Sequence, residues 1–339
     1  MRIFTSSWFP VIFGVLIVIV ILGEILCTPS QPDYPFAKND TVATEPIWYA
    51  PDLNSIPANE EGNLIHYGRD LIANTAKYLG PKGIVAAVSN GMNCQNCHID
   101  AGAKSYANAL SAVASIYPVY RPRSGIVESI EFRINDCMMR SLNGHTIDSQ
   151  GREMKAMVAY MKWIGKDVPK GVKPPGAGTI ELPFLDRAAN VEKGRIVYTS
   201  RCQICHGKQG EGQFTADSSG FIYPPLWGPR SYNTGAGLYR LTRFAGYVKY
   251  SMPFGASHEN PQLTDEEAWD VAAFVNSQPR PQKFFKNDWP DISKKAIDHP
   301  SGPYKDSFSS EQHKYGPFEP IKKARDQAVG KPIKSPRSK

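Results

Sequence analysis

The chain has 339 residues, 41% of them hydrophobic and 21% charged, and Lys and Arg outnumber Asp and Glu by 39 to 32, a formal net charge of +7. That composition is of an ordinary globular protein with room for two modest domains, and it argues against one large core. The basic surplus would attract anions, whether small oxyanions, an acidic protein or nucleic acid, although a solvated surface and tail account for most of it.

From Ile3 to Gly23 no side chain is charged. The run, centred on FPVIFGVLIVIVIL, exceeds the roughly 7 to 15 apolar residues of a signal-peptide core and reaches the about 20 that cross a bilayer as a helix. Arg2 and the amino terminus are the nearby positive charges before it, which keeps the start in the cytoplasm. An uncleaved membrane anchor over residues 1–27 is therefore expected. Removal as a signal is the competing reading, but no convincing A-x-A-like site follows, and Leu26 before Cys27 fits a lipoprotein site poorly. The rest of the chain then stands on the periplasmic side of a bacterial cytoplasmic membrane. A Pro- and Asp-containing spacer without periodicity fills residues 28–57.

Two motifs follow. MNCQNCH supplies Cys94, Cys97 and His98, and RCQICHG supplies Cys202, Cys205 and His206, so C-x-x-C-H occurs twice, 108 residues apart. Two thiols at this spacing add to the two vinyl groups of one haem, and the next residue places an imidazole beneath the iron. Two motifs imply two covalently bound haem c groups. A redox C-x-x-C needs no following His in both copies, and a zinc knuckle gathers its ligands in one cluster.

The flanks repeat. Before the second motif, Val191, Gly194, Val197, Tyr198 and Cys202 follow helical spacing after an Asn190 cap; after it, Thr264 with Glu267 opens a helix through Ala268, Val271, Ala272 and Val275. Before the first motif, Leu64, Gly68, Leu71, Ile72, Ala76 and Leu79 make a stripe that stops at Gly80-Pro81; after it, Met154, Met157, Val158 and Met161 make another that stops at Gly165. The fold expected is mainly α: two tandem cytochrome c-like domains over 58–169 and 186–280, each with one covalent haem, after the N-terminal anchor. KGVKPPGAG begins the linker over 170–185, and residues 281–339, with little periodicity, are expected as an extended basic tail. A nucleic-acid role for the basic end Lys331 to Lys339 is not credible outside the cytoplasm.

A low-spin c-type haem usually has a second axial ligand, in small cytochromes on the loop before the last helix. Met252 lies 46 residues after His206 and 12 before Thr264. The corresponding place in the first half, 39 residues after His98 and 11 before Asp148, the expected helix cap, is taken by Cys137. Met138, Met139 and His145 stand close by, and spacing alone does not choose among the four. A disulfide from Cys137 would need Cys27, at the edge of the membrane segment, and an inert buried thiol is the other use. Arg133 and Arg140, with Arg121 and Arg123 farther off, surround Cys137 in sequence, and positive charge favours a thiolate. Haem-propionate pairing or solvation are the other uses of these arginines.

Over about residues 55 to 325 the chain resembles the diheme thiosulfate dehydrogenases, also known as tetrathionate reductases. The resemblance rests on MNCQNCHIDAG, YRPR, RINDCMMRSLNG, SQGREMKAMVAYMKWI, RCQICHG, YSMPFG and the phrase IDHPSGPY...SFSSEQHKYGPF, in that order. It implies His98 and Cys137 as ligands of the first haem and His206 and Met252 of the second. Some members place a lysine directly before the Met and exchange the two; here Ser251 precedes Met252 and Lys249 is three back. The activity implied joins two thiosulfates to tetrathionate with release of two electrons to an electron-transfer protein, a cytochrome or an iron-sulfur protein. Cys137 would hold the outer sulfur of one thiosulfate, Arg123 and Arg133 would offset the charge of two dianions, and Ser141 would donate a hydrogen bond, with Arg121 and Arg140 as weaker candidates. Two other functions compete: a diheme carrier with Met138 or Met139 on the iron, and a Sox-type cysteine-ligated cytochrome that needs partner subunits.

Overall fold

Asn59 opens the first helix: its side chain accepts from the Gly62 amide at 2.9 Å, and Glu60 and Glu61 sit in the first turn, where the helix dipole favours negative charge. The structure is a computed structural model and describes residues 46–328 and 330. The expected anchor at 1–27, Cys27, most of the 28–57 spacer and the basic end from 331 lie outside these residues. Among the described residues no helix is long and apolar enough to cross a membrane.

In the first half, α1 (Glu60–Ala73) and α2 (Thr75–Leu79) are followed by α3 (Val113–Ile116), a hairpin of β1 (Val119–Arg121) and β2 (Ile126–Glu128), α4 (Ile130–Arg140) and α5 (Arg152–Ile164). The stripe expected as one helix from Leu64 to Leu79 is thus two. Asn74 leaves helical geometry at φ −124°, ψ 42°, and the Thr75 hydroxyl donates to Leu71 O while accepting from Cys94 N. With Asn93 accepting from Ala76 N, this break seats the first haem motif. Gly80 and Gly165 end their helices at the expected places. Gly151, not Asp148, is the N-cap of α5: Asp148 spends its carboxylate on the Gln150 amide, in a turn ahead of the helix.

The second half runs α6 (Val191–Arg201), α7 (Gln203–His206), the short strands β3 (Gln213–Phe214) and β4 (Phe221–Tyr223), α8 (Leu241–Ser251) and α9 (Asp265–Ser277). Asn190 caps α6 through the Lys193 amide, and Thr264 and Glu267 cap α9 reciprocally. In both halves the helix before the motif crosses the last helix at a glycine. A Cβ on Gly68 would stand 1.9 Å from Ala156 O, and one on Gly194 would stand 1.9 Å from Asp270 O. Only glycine permits so close a crossing, so either change to Ala would push the two helices apart.

Each half has its own core. Leu71, Ile72, Leu79, Met154, Met157 and Ile164 fill the first, and Tyr198, Leu241, Trp269, Val271 and Val275 the second, each such fully buried aliphatic worth about 1.5–3 kcal/mol. Phe221, from the second half, lies in the first core, and Ile99, next to His98, packs against the second. Beyond α9 the chain departs from the extended tail expected: α10 (Ser310–Tyr315) and α11 (Glu319–Ala328) form. Phe318 and Ile321 enter the second core, and fully buried His313 bridges Ile297 O and Asp306 at 2.7 and 2.8 Å. Tertiary burial, rather than any long sequence period, makes these short helices stable.

Candidate functional site: two haem positions and an arginine cluster

At each motif the histidine is oriented by a backbone carbonyl. His98 Nδ1 lies 2.7 Å from Asn108 O and His206 Nδ1 lies 2.8 Å from Pro224 O. A carbonyl can only accept, so each Nδ1 carries the proton and Nε2 is the nitrogen left for a metal. Asn108 is in turn held by the linker, its amide donating to Gly178 O at 2.8 Å. Burial lowers the pKa of both imidazoles, and Arg133 lowers that of His98 further, which keeps them neutral as iron ligation requires.

The five described cysteines are unpaired: Cys94, Cys97, Cys137, Cys202 and Cys205. As free thiols, standing in for thioether sulfurs, Cys94 and Cys97 are pushed by burial up to about 11 and about 12, and the Cys137 sulfur is close enough to raise both further. Cys137, Cys94, Cys97 and, through Arg133, His98 therefore gather at one place. A second feature suits a group with carboxylate arms. Arg280 is 6% exposed, lies between the rings of Tyr232 and Tyr239 at 4.3 and 4.9 Å, and donates to the carbonyls of Leu226 and Val275. Its Nε has no partner, and no carboxylate pairs with it among the described residues. A buried guanidinium without a counter-charge is costly, and a haem propionate would supply one.

Cys137 does not lie on a loop, as the comparison with small cytochromes suggested, but at the start of the last turn of α4, which Ser129 opens by accepting from Phe132 N. The helix sorts three of the four candidate ligands by face, and His145 lies in the loop beyond it. Met138 is 1% exposed and sits in the core with Ile130 and Ile134. Met139 lines a surface groove with Phe132 and Asn135, and His145 is exposed. Cys137 shares its face with Arg133, four residues before it on the helix, and is the largest influence raising the Arg133 pKa. Ser141 caps the helix, its amide donating to Cys137 O at 2.8 Å.

The arginines meet at a residue that sequence reading passed over. Asp136 is 3% exposed; its Oδ2 accepts from Arg123 and, at 2.7 Å, from Arg133, and its Oδ1 accepts from Arg140. Burial and neighbouring Arg133 bring Arg123 down to about 10 against the pull of Asp136, so two guanidinium groups crowd one carboxylate oxygen and an anion would relieve them. Arg140 is committed elsewhere, with both Nη atoms on Asp288. Arg121 ends β1, where its carbonyl accepts from Gly125 N.

In the second half Met252 caps the C-terminus of α8, half-buried against the second core. Lys249, on the last turn of α8, is buried with its Nζ 2.5 Å from Asp265. This ion pair ties the last turn of α8 to the first turn of α9.

Comparison with known proteins agrees with the two-part plan. Residues 85–169 match the family profile described as SoxA/TsdA, cytochrome c domain, and residues 189–275 match the one described as cytochrome c oxidase, cbb3-type, subunit III. The chain is 37% identical over 252 residues to a thiosulfate dehydrogenase of Psychrobacter arcticus, covering 74% of each. It is 39% identical over 230 residues to that of Allochromatium vinosum, covering 67% of this chain and 82% of the relative. The solved thiosulfate dehydrogenase (TsdBA) of Marichromatium purpuratum superposes with a TM-score of 0.66 at 28% identity over 77% of this chain; the match spans about half, 54%, of that longer chain. The molecule thus holds two cytochrome c domains and two covalently bound haem c groups.

Proposed function

The chain belongs to the thiosulfate dehydrogenase family and is an oxidoreductase acting on thiosulfate, and from that premise we propose that it joins two thiosulfates into tetrathionate with Cys137 as the reacting group. The observation that carries this reading is the meeting of Cys137 with Arg133 at the first haem motif, on the helix face that Met138 and Met139 do not share. His98 with Cys137, and His206 with Met252, would hold the two haem irons, and each haem when bound would supply a place for one electron.

The chemistry balances without a proton. The Cys137 thiolate and the outer sulfur of one thiosulfate form a sulfur–sulfur bond, and two electrons leave. The sulfur of the second thiosulfate attacks that outer sulfur, forming tetrathionate and returning the thiolate, as in disulfide exchange. Arg123 and Arg133, each with guanidinium N–H groups beyond the one spent on Asp136, offset the repulsion of two dianions. Ser141, at the end of the same helix, donates to a sulfonate oxygen. A Cys137 thiolate would give the first haem a lower potential than a Met ligand would, so the haem held by His206 and Met252 would be the one suited to hand electrons to an electron-transfer protein. The reverse, tetrathionate reduction, uses the same groups. We place the enzyme on the periplasmic side of a bacterial cytoplasmic membrane, tethered by residues 1–27.

The test uses purified protein alone, with thiosulfate and a chemical electron acceptor, and then with tetrathionate and a reductant. Cys137→Ala should abolish turnover and remove the EPR signature of a thiolate-ligated ferric haem. Full activity with unchanged spectra in that variant sinks the mechanism, and a wild type inactive without partner subunits points to Sox-type chemistry instead.

A further inference from the structure

Arg140, the last residue of α4, is enclosed by parts of the chain far from it in sequence. Its Nη1 and Nη2 donate to Asp288 Oδ2 and Oδ1, each at 2.7 Å, and the Phe285 ring lies 3.6 Å from its guanidinium carbon. Gly235 backs it so closely that a Cβ there would stand 2.9 Å from Nη1. Asp288 and Phe285 follow α9, beyond the second cytochrome domain. The same segment touches the first half at three more points. Lys283 Nζ donates to Met139 O and Gly144 O at 3.3 and 3.0 Å, and Trp289 N donates to Arg123 O at 2.6 Å. Residues 283–289 are thus a strap over the end of the Cys137 helix and over the turn that carries Arg123.

We propose that this strap completes the thiosulfate site, with Asp288 as the positioning residue that leaves Arg123 and Arg133 aimed at the anion. The proposal rests on the reading that those two arginines take thiosulfate. Asp136 offers about four acceptor sites on its two oxygens and takes three guanidinium groups, Arg123 and Arg133 on Oδ2 and Arg140 on Oδ1, so the two further donors that Arg140 carries would compete for the room left. Asp288 takes both Nη groups of Arg140 in a fork, the strongest geometry open to a guanidinium, and leaves only its Nε on Asp136. Without Asp288, the Nη groups of Arg140 turn to Asp136 and displace the other two arginines.

Charge alone predicts the opposite sign. Removing a carboxylate near an anion site raises the local potential and tightens binding. The two accounts therefore separate in one experiment on the full-length, haem-loaded enzyme. Asp288→Asn should raise KM for thiosulfate about tenfold, the loss of one charge-assisted contact's worth of alignment, with kcat and the thiolate-haem EPR signal near wild type; Asp288→Glu should restore most of it. An unchanged or lowered KM in Asp288→Asn, or no recovery with Glu, overturns the proposal. Should Asp288→Asn fail to fold, Phe285→Leu loosens the same strap without altering charge, and an unchanged KM there overturns it equally. Arg123→Gln is run alongside: if it leaves KM unchanged, the anion site itself is wrong, whereas a raised KM there with wild-type values in the strap variants removes the strap alone.

Discussion

The hydroxyl of Tyr247, on α8 of the second half, donates to the carbonyl of Asn96, between the two cysteines of the first haem motif, at 2.9 Å. Burial, with the Cys97 sulfur adding to it, holds this phenol well above its ordinary pKa, so it stays a neutral donor. Five residues later the same helix ends at Met252. One rigid element thus ties the attachment of the first haem to the proposed ligand of the second.

Tyr247→Phe should leave both haems attached and slow electron passage between them several-fold. It leaves a half-buried carbonyl without its phenol donor, at a cost of about 1 kcal/mol. Rapid mixing with thiosulfate, following the two haems by their separate spectra, measures the effect; second-haem reduction as fast as in wild type would refute it.

Asp136 sets an acid limit. Burial would raise its pKa, but Arg123, Arg133 and Arg140 together outweigh burial and hold it below the ordinary carboxylate range. A carboxyl depressed in the folded state contributes stability above its unfolded pKa and loses that contribution as pH falls through the folded one. Asp136→Asn should therefore cost about 3–5 kcal/mol at neutral pH, as expected for breaking a buried ion cluster. Denaturant unfolding should show the gap from wild type closing below the usual carboxylate range; a gap constant down to that range and beneath it would contradict the ion cluster.

Arg280 should set a haem potential. A cation beside a propionate favours the reduced haem, which carries one positive charge fewer than the oxidised form, so Arg280→Gln should lower the midpoint potential of the haem it serves. Redox titration, with the thiolate-ligated and Met-ligated haems told apart by their spectra, identifies which one. Two unshifted potentials would mean that no propionate reaches this guanidinium.

Cys137→Met should convert the first domain to a carrier. Thioether ligation raises the potential where thiolate lowers it, and the sulfur can no longer bond to a thiosulfate. We expect the first-haem potential to rise and turnover to vanish, in contrast to a carrier role for the wild type, which predicts little change in either.

Much of the scaffold was legible because its signals are local. Asn190, the Thr264–Glu267 pair, Gly80 and Gly165 all act within a turn of the helix they start or stop. The misreadings have local causes too. Asp148 suits a cap, but it is engaged one turn early, and Thr75 breaks a stripe whose apolar spacing reads as unbroken. The tail helices carry no readable period because Phe318 and Ile321 are too few to make one; they are helical where they have a core to enter.

By itself the sequence determined the two haem attachment points, since covalent attachment needs two thiols and an imidazole at fixed spacing on one short stretch. It also brought Cys137 into consideration without separating it from Met138, Met139 and His145. Only the tertiary structure gives them different surroundings, with Met138 in the core and Cys137 on the helix face of Arg133. It also shows which arginines share Asp136 and which one Asp288 holds. Asp136 sits three residues from Arg133, but Asp288 reaches Arg140 across 148 residues of chain. Charge compensation depends on distance in space, and no spacing along the chain encodes it.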